Sequence, residues 1–146
     1  GLMKTKSGIK VIEFNARFGD PETEVILPRM TSDIYQVFCD IADGKQPTIE
    51  WYDFATLGIV LASKGYPGSY DKGFEIKGID KVDGSIYHMG TSFRDGKYLT
   101  SGGRVMIVVC KAPTLREAQQ KAAEEVGKIE CDNLFHRTDI GDKAFL

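Results

Sequence analysis

The stretch from Arg104 to Ile129, Arg-Val-Met-Ile-Val-Val-Cys-Lys-Ala-Pro-Thr-Leu-Arg-Glu-Ala-Gln-Gln-Lys-Ala-Ala-Glu-Glu-Val-Gly-Lys-Ile, decides the fold class. Residues 104–110 form a short, nearly continuous apolar run, the pattern of a strand buried on both sides. Thr114-Leu115-Arg116-Glu117 then forms a capping box, in which a hydroxyl and a carboxylate satisfy two backbone donors left over at a helix start. Leu115, Ala118, Ala122, Val126 and Ile129 recur at helical spacing and predict one buried stripe. A buried strand running straight into an amphipathic helix needs further strands beside it to complete the sheet.

The sequence supplies them upstream. Residues 56–63 read as a buried strand, and Tyr66-Pro67-Gly68 as a turn. Residues 73–79 and 85–93 are strand candidates, with Asp83-Gly84 between them as a hairpin signal. Asp95-Gly96 marks a further hairpin into Tyr98-Leu99-Thr100, and Gly102-Gly103 a turn that permits close packing. Hairpin connections followed by a helix predict an α+β fold with a small, largely antiparallel sheet. Residues 45–53 read as a connection, with Trp51, Tyr52 and Phe54 expected to pack rather than to stack on a ligand.

Before that connection the pattern differs. Residues 9–15 read as a strand in which Ile12 and Phe14 face the interior and Glu13 and Asn15 share the other face. Asp20 is a candidate N-cap and Pro21 suits the first helical position, with Glu22 and Glu24 complementing the helix start. Pro28 is expected to stop that helix. A second helix is predicted over 33–43, capped by Ser32, with Ile34, Val37, Phe38 and Ile41 as its apolar stripe and Gly44 as its stop.

Composition narrows the function classes. The 146 residues are 42% hydrophobic and 27% charged, with a net charge of −2. No basic excess points to nucleic acid or to a membrane patch. The apolar runs are too short to span a bilayer. Cys39, Cys110 and Cys131 are widely spaced and contain no CxxC pair, which fits buried thiols in a reducing, cytoplasmic setting. The chain starts at Gly1 without an initiator Met and carries no charged-then-apolar leader, so a piece of a larger protein or a processed chain is expected. His88 is expected to make a structural hydrogen bond and His136 to be exposed.

The chemistry concentrates in Glu13-Phe14-Asn15-Ala16-Arg17-Phe18-Gly19-Asp20-Pro21-Glu22. A carboxylate and an amide oxygen two residues apart on a strand can converge on one hard cation, Mg²⁺ or Mn²⁺. Arg17 adds a planar fork of donors suited to a phosphate. The same residues also suit the solvated face of an amphipathic strand, and Asp20 and Glu22 suit a helix cap.

This ten-residue run resembles the signature segment of the glycinamide ribonucleotide synthetases, enzymes of the ATP-grasp superfamily. The likeness extends along the chain. It takes in Gly1-Leu2-Met3, residues 61–68 with Lys72-Gly73, His88-Met89-Gly90-Thr91, Gly102-Gly103-Arg104-Val105 and Arg137-Thr138-Asp139-Ile140-Gly141. The resemblance implies ATP-dependent joining of glycine to 5-phosphoribosylamine through a glycyl phosphate, in purine biosynthesis. It implies Glu13 and Asn15 as ligands of a Mg²⁺ or Mn²⁺ that bridges ATP phosphates. Arg17 would hold the phosphates or the reacting carboxylate, and Asp20, Pro21 and Glu22 would lie near the substrate. Residues 1–46 would close an ATP-grasp domain and residues 47–146 would form the C-terminal domain. The family's N-terminal domain and adenine-clamping strands precede this region, so the chain alone is expected to be inactive and to partner those missing domains. Alternatives are another ATP-grasp enzyme such as a carboxylase, against which the continuation over 17–22 argues, and a non-catalytic binding module.

Overall fold

The run from Val105 to Cys110 is apolar because it lies inside a sheet covered on both faces. In the computed structural model, which describes residues 1–145, all six of its residues are at most 1% exposed. In chain order the elements are β1 (Leu2–Thr5), β2 (Gly8–Val11), α1 (Glu22–Ile26), α2 (Ile34–Ala42), β3 (Ala55–Ser63), β4 (Glu75–Ile76), β5 (Ser85–His88), β6 (Thr91–Arg94), β7 (Lys97–Thr100), β8 (Arg104–Ala112), α3 (Leu115–Val126) and β9 (Leu134–Phe135). The main sheet has the order β5-β8-β3-β9, a smaller one β4-β7-β6, and β1-β2 form a separate ribbon. Every pairing is antiparallel, in agreement with the expected α+β class.

Register gives the two faces of the main sheet different partners. Cys110, Val108 and Met106 of β8 lie opposite Leu57, Ile59 and Leu61 of β3. These six residues pack against Ala118, Ala122 and Val126 of α3. The α3 capping box forms as read: Thr114 Oγ1 accepts from the Glu117 amide at 3.2 Å, and Glu117 Oε2 accepts from the Thr114 amide at 3.0 Å. Such a cap stabilises a helix by about 1 kcal/mol.

The opposite face seats α1. A Cβ on Gly58 of β3 would stand 2.6 Å from Ile107 Cδ1 and 2.8 Å from Val25 Cγ1. Only a residue without a side chain lets Val25 come this close, so Gly58 sets how near α1 lies to the sheet. Thr56 Oγ1 adds a 2.7 Å bond to the Val25 carbonyl. The segment from Gly19 to Val25 thereby lies along the sheet, from Arg104 at the start of β8 to Gly58 and Ile107.

The buried polar residues Ser63, Asn133 and Glu125 are each hydrogen-bonded. Ser63 Oγ donates to the Gly102 carbonyl at 2.8 Å, and Asn133 Nδ2 to that of Asp71 at 2.9 Å. Glu125 accepts from the Asp83 amide at 2.6 Å and pairs with Lys128 at 2.7 Å. The Asp95-Gly96 hairpin forms, both residues in the left-handed region with φ of 50° and 76°. At the C-terminal end, Gln119 Nε2 binds the Ile140 carbonyl and Asp142 Oδ1, each at 2.7 Å, fastening the last segment to α3.

Several local expectations are corrected. The strand expected over 9–15 ends at Val11, and Phe14 is 93% exposed instead of buried, with Ile12 also exposed. Among the described residues the β1-β2 ribbon pairs with no other strand, which leaves these side chains uncovered. Asp20 does not cap α1; Pro21 holds that position with no side-chain bond, while Glu22 Oε2 reaches back to the Gly19 amide at 2.9 Å. Asp33, not Ser32, caps α2, accepting from the Tyr35 amide at 2.8 Å. Ser32 Oγ instead accepts from the Glu50 amide at 2.8 Å, tying the connection back. Of the expected α2 stripe, only Val37 is buried.

Asp83-Gly84 joins no hairpin, because β4 pairs with β7 and β5 with β8. The single strand expected over 85–93 divides at Met89-Gly90, whose amides both donate to the Val105 carbonyl, at 3.0 and 2.9 Å. That bend moves the chain from one sheet to the other. Pro28 behaves as expected, since α1 gives way at Leu27–Arg29 to a 3-10 turn.

Candidate functional site

The six residues singled out in the sequence come together. Glu13, Asn15, Arg17, Asp20, Pro21 and Glu22 line one groove of about 300 Å³, joined by Gly19 and by Arg104. The groove lies where the segment after the β1-β2 ribbon crosses the start of β8. A backbone bond of 2.9 Å from the Ile12 amide to the Gly1 carbonyl carries the ribbon pairing up to Glu13.

Each side chain has a definite position. Asn15 Nδ2 donates to Glu13 Oε1 at 3.3 Å, so the two lie side by side although neither is in a strand. Arg17 Nη1 donates to the Phe18 carbonyl at 2.7 Å, which leaves the rest of its fork free on the groove side. Gly19 is held from both ends: its amide donates to Glu22, and its carbonyl accepts from the Thr23 amide and hydroxyl, each at 3.0 Å. Asp20 forms an ion pair with Arg104 at 2.9 Å.

The donor chemistry fits a hard divalent cation in part. Glu13 offers carboxylate oxygens and Asn15 an amide oxygen, the ligand types that Mg²⁺ and Mn²⁺ prefer. Seating a cation between them requires the Asn15 amide to turn, exchanging its N–H for its oxygen. Among the described residues no group of three or more His, Cys, Asp or Glu could hold a metal ion. Glu13 and Asn15 by themselves could supply only part of a coordination shell; the remaining oxygens would have to come from water, a nucleotide or another polypeptide segment.

The reading of the sequence left Arg104 without a role. Its signal was an arginine at the head of an otherwise apolar strand, directly after Gly102-Gly103. Among the other candidates, His88 takes the structural role expected of it. His88 Nδ1 bonds Thr91 Oγ1 at 2.8 Å, and its ring stacks on Tyr98 at 4.8 Å. His136 is half-buried, not exposed, and bonds the Arg137 carbonyl at 3.0 Å. All three cysteines are free; Cys110 is buried, which raises its thiol pKa, and the other two are half-buried. Tyr52 stacks on Phe54 at 5.3 Å, while Trp51 and Tyr52 stay about half exposed.

With this geometry in view, comparison with known proteins is decisive. Residues 56–143 match the model of the family described as phosphoribosylglycinamide synthetase, C domain. The chain belongs to this family. It is 53% identical over 146 residues to a phosphoribosylamine–glycine ligase of Halalkalibacterium halodurans, a match that covers 99% of this chain and 34% of that protein. With the ligase of Streptococcus pneumoniae strain R6 it shares 49% identity over 147 residues, 99% of this chain and 35% of that protein. Its fold matches the crystal structure of the phosphoribosylamine–glycine ligase of Thermotoga maritima with a TM-score of 0.81 at 33% identity, over 97% of this chain and 36% of that one. The chain thus spans about a third of the length of the ligases it resembles. Among the described residues no helix is long and apolar enough to cross a membrane.

Proposed function

We propose that the chain forms the C-terminal third of a cytoplasmic phosphoribosylamine–glycine ligase and supplies one wall of its active site. The observation that carries this reading is the convergence of Glu13, Asn15, Arg17, Asp20, Pro21 and Glu22 on one groove, in a chain whose relatives bear that enzyme's name. Residues 1–46 then close the ATP-grasp domain and residues 47–146 form the C-terminal domain, a division supported by a family match lying wholly within the second part.

In this reading Glu13 and Asn15 present oxygens to a Mg²⁺ or Mn²⁺ ion. That cation, when bound, offsets the charge of the ATP triphosphate during phosphoryl transfer. Arg17 turns its free N–H groups toward phosphate oxygens or the glycine carboxylate, holding the reacting oxygen in line. Glu22 keeps Gly19 fixed, and with Pro21 and Asp20 shapes the side of the groove nearest the substrate. Glycine carboxylate attacks the terminal phosphorus of ATP and ADP leaves. The amine of 5-phosphoribosylamine then attacks the acyl carbon and phosphate leaves.

The exposed apolar surface supports a partner body within the same protein. Of eighteen exposed large hydrophobic residues among those described, thirteen lie between Leu2 and Tyr52. An apolar face on that scale calls for cover, and the two-thirds of the ligases that this chain does not span can supply it. The chain alone is therefore expected to be silent in catalysis.

The test is ADP release with Mg²⁺, ATP, glycine and fresh phosphoribosylamine. The catalyst is the Halalkalibacterium halodurans ligase with its matching segment replaced by this chain. Turnover that needs both co-substrates is expected, and Glu13→Ala should lower kcat at least a hundredfold while the melting temperature holds. A Glu13→Ala rate equal to the parent's at saturating Mg²⁺ would refute the assignment.

A further inference from the structure

Arg104 reaches the groove from the sheet, across 84 residues of sequence. Its Nη1 donates to the Asp20 carbonyl at 2.9 Å and to Asp20 Oδ1 at 3.1 Å, and its Nη2 donates to Oδ2 at 2.9 Å. One guanidinium thus grips both the side chain and the backbone of a single residue. Among the described residues, every other hydrogen bond of residues 14–21 stays local: Asn15 to Glu13, Arg17 to Phe18, and Gly19 to Glu22 and Thr23. Arg104 is the one hydrogen-bonding tie from that segment to the sheet.

We propose that Arg104 is a positioning residue, and that the Asp20 carboxylate serves it rather than the substrate. The role rests on the ligase reading above and deepens it. A fork bonded through two nitrogens fixes direction as well as distance, which a single ammonium does not. Arg104 opens β8, whose next six residues are buried, so its backbone is part of the most deeply buried strand among the described residues. Asp20 lies between Arg17 and Glu22, so holding it sets where both of them stand in the groove. Glu13 and Asn15 are anchored on their other side by the ribbon. The Arg104 grip therefore closes a brace around the loop that carries the functional groups. Each carboxylate oxygen of Asp20 accepts from one nitrogen of the Arg104 fork.

Two measurements test this. In the 146-residue chain, amide hydrogen exchange at Gly19 and Thr23 should speed up roughly tenfold in Arg104→Ala and in Asp20→Asn, the loss expected for a charge-assisted pair. Arg104→Lys should fall between, and the reciprocal exchange Asp20→Arg with Arg104→Asp should recover protection. In the chimeric ligase, Arg104→Ala should lower kcat while the KM for each substrate holds, and the reciprocal exchange should recover part of the rate. Unchanged amide exchange in Arg104→Ala overturns the proposal. So does a rise in one substrate's KM at constant kcat, which marks direct substrate contact, or a reciprocal pair that restores protection without rate. If the unsubstituted chimera does not turn over, the ligase reading fails while the exchange result still decides the brace.

Discussion

Substituting Gly58 by alanine probes the contact that seats α1, and its outcome can be worked out from the distances. The new Cβ would lie 2.6 Å from Ile107 Cδ1, 2.8 Å from Val25 Cγ1 and 3.1 Å from Ile107 Cγ1. Carbon atoms in van der Waals contact stand roughly 3.5–4.0 Å apart, so about 1 Å of movement is needed on two sides at once. Ile107 is 1% exposed, so its side chain cannot turn out into solvent without leaving the core. Overpacking of this kind costs roughly 1–3 kcal/mol. Against it, alanine narrows the unfolded ensemble and suits a strand better, a gain of about 0.5–1 kcal/mol. At the middle of these ranges the net expectation is a loss of about 1 kcal/mol, or a melting temperature lower by roughly 2–4 °C in a chain of this size. Calorimetry of Gly58→Ala measures it, and Ile107→Val tests its cause. Removing Cδ1 takes away the tightest contact, so Gly58→Ala should cost less in the Ile107→Val background than alone. A Gly58→Ala protein that melts at or above the parent temperature would show that α1 does not owe its position to this gap.

Two further outcomes follow from the core and its charges. Val108→Asp puts an unpaired carboxylate at a site with no exposure, at a cost of several kcal/mol, so the cooperative melt should vanish; a normal thermal transition would contradict the buried central strand. Lys128 and the Asp83 amide hold the Glu125 carboxyl below its ordinary range, and Lys121 does the same for Asp83. A carboxyl that ionises more readily when folded adds stability above its unfolded pKa near 4, and loses it as pH falls through the lowered folded value. Glu125→Gln should therefore be less stable than the parent at pH 7 by urea melts and should converge with it once the pH falls below the lowered folded value; a gap that persists in acid would rule out this linkage.

How much was legible in the chain can be seen element by element. The β8-α3 unit was readable because its signals are local: a continuous apolar run, a capping box, and a stripe at helical period. The Asp95-Gly96 turn was readable for the same reason, since two residues in the left-handed region favour that dipeptide. Asp83-Gly84 carries the same signal and makes no hairpin, because β5 finds its partner in β8, about twenty residues away. Dipeptide chemistry cannot report which strand wins that competition.

The groove divides in the same way. Sequence alone singled out the residues that line the groove, because Glu13, Asn15, Arg17 and the Asp20-Pro21-Glu22 step form one contiguous run, and contiguity keeps side chains within reach of each other. It also determined the class of fold, through periodicity and turn residues. Only the tertiary structure decided that Asp20 answers to Arg104 rather than to a helix end. Only there does Gly58 prove to be the gap that seats α1, and only there do Ile12 and Phe14 prove to lack cover. These are contacts between segments dozens of residues apart. Their energies depend on distances that the backbone sets only once the sheet has closed.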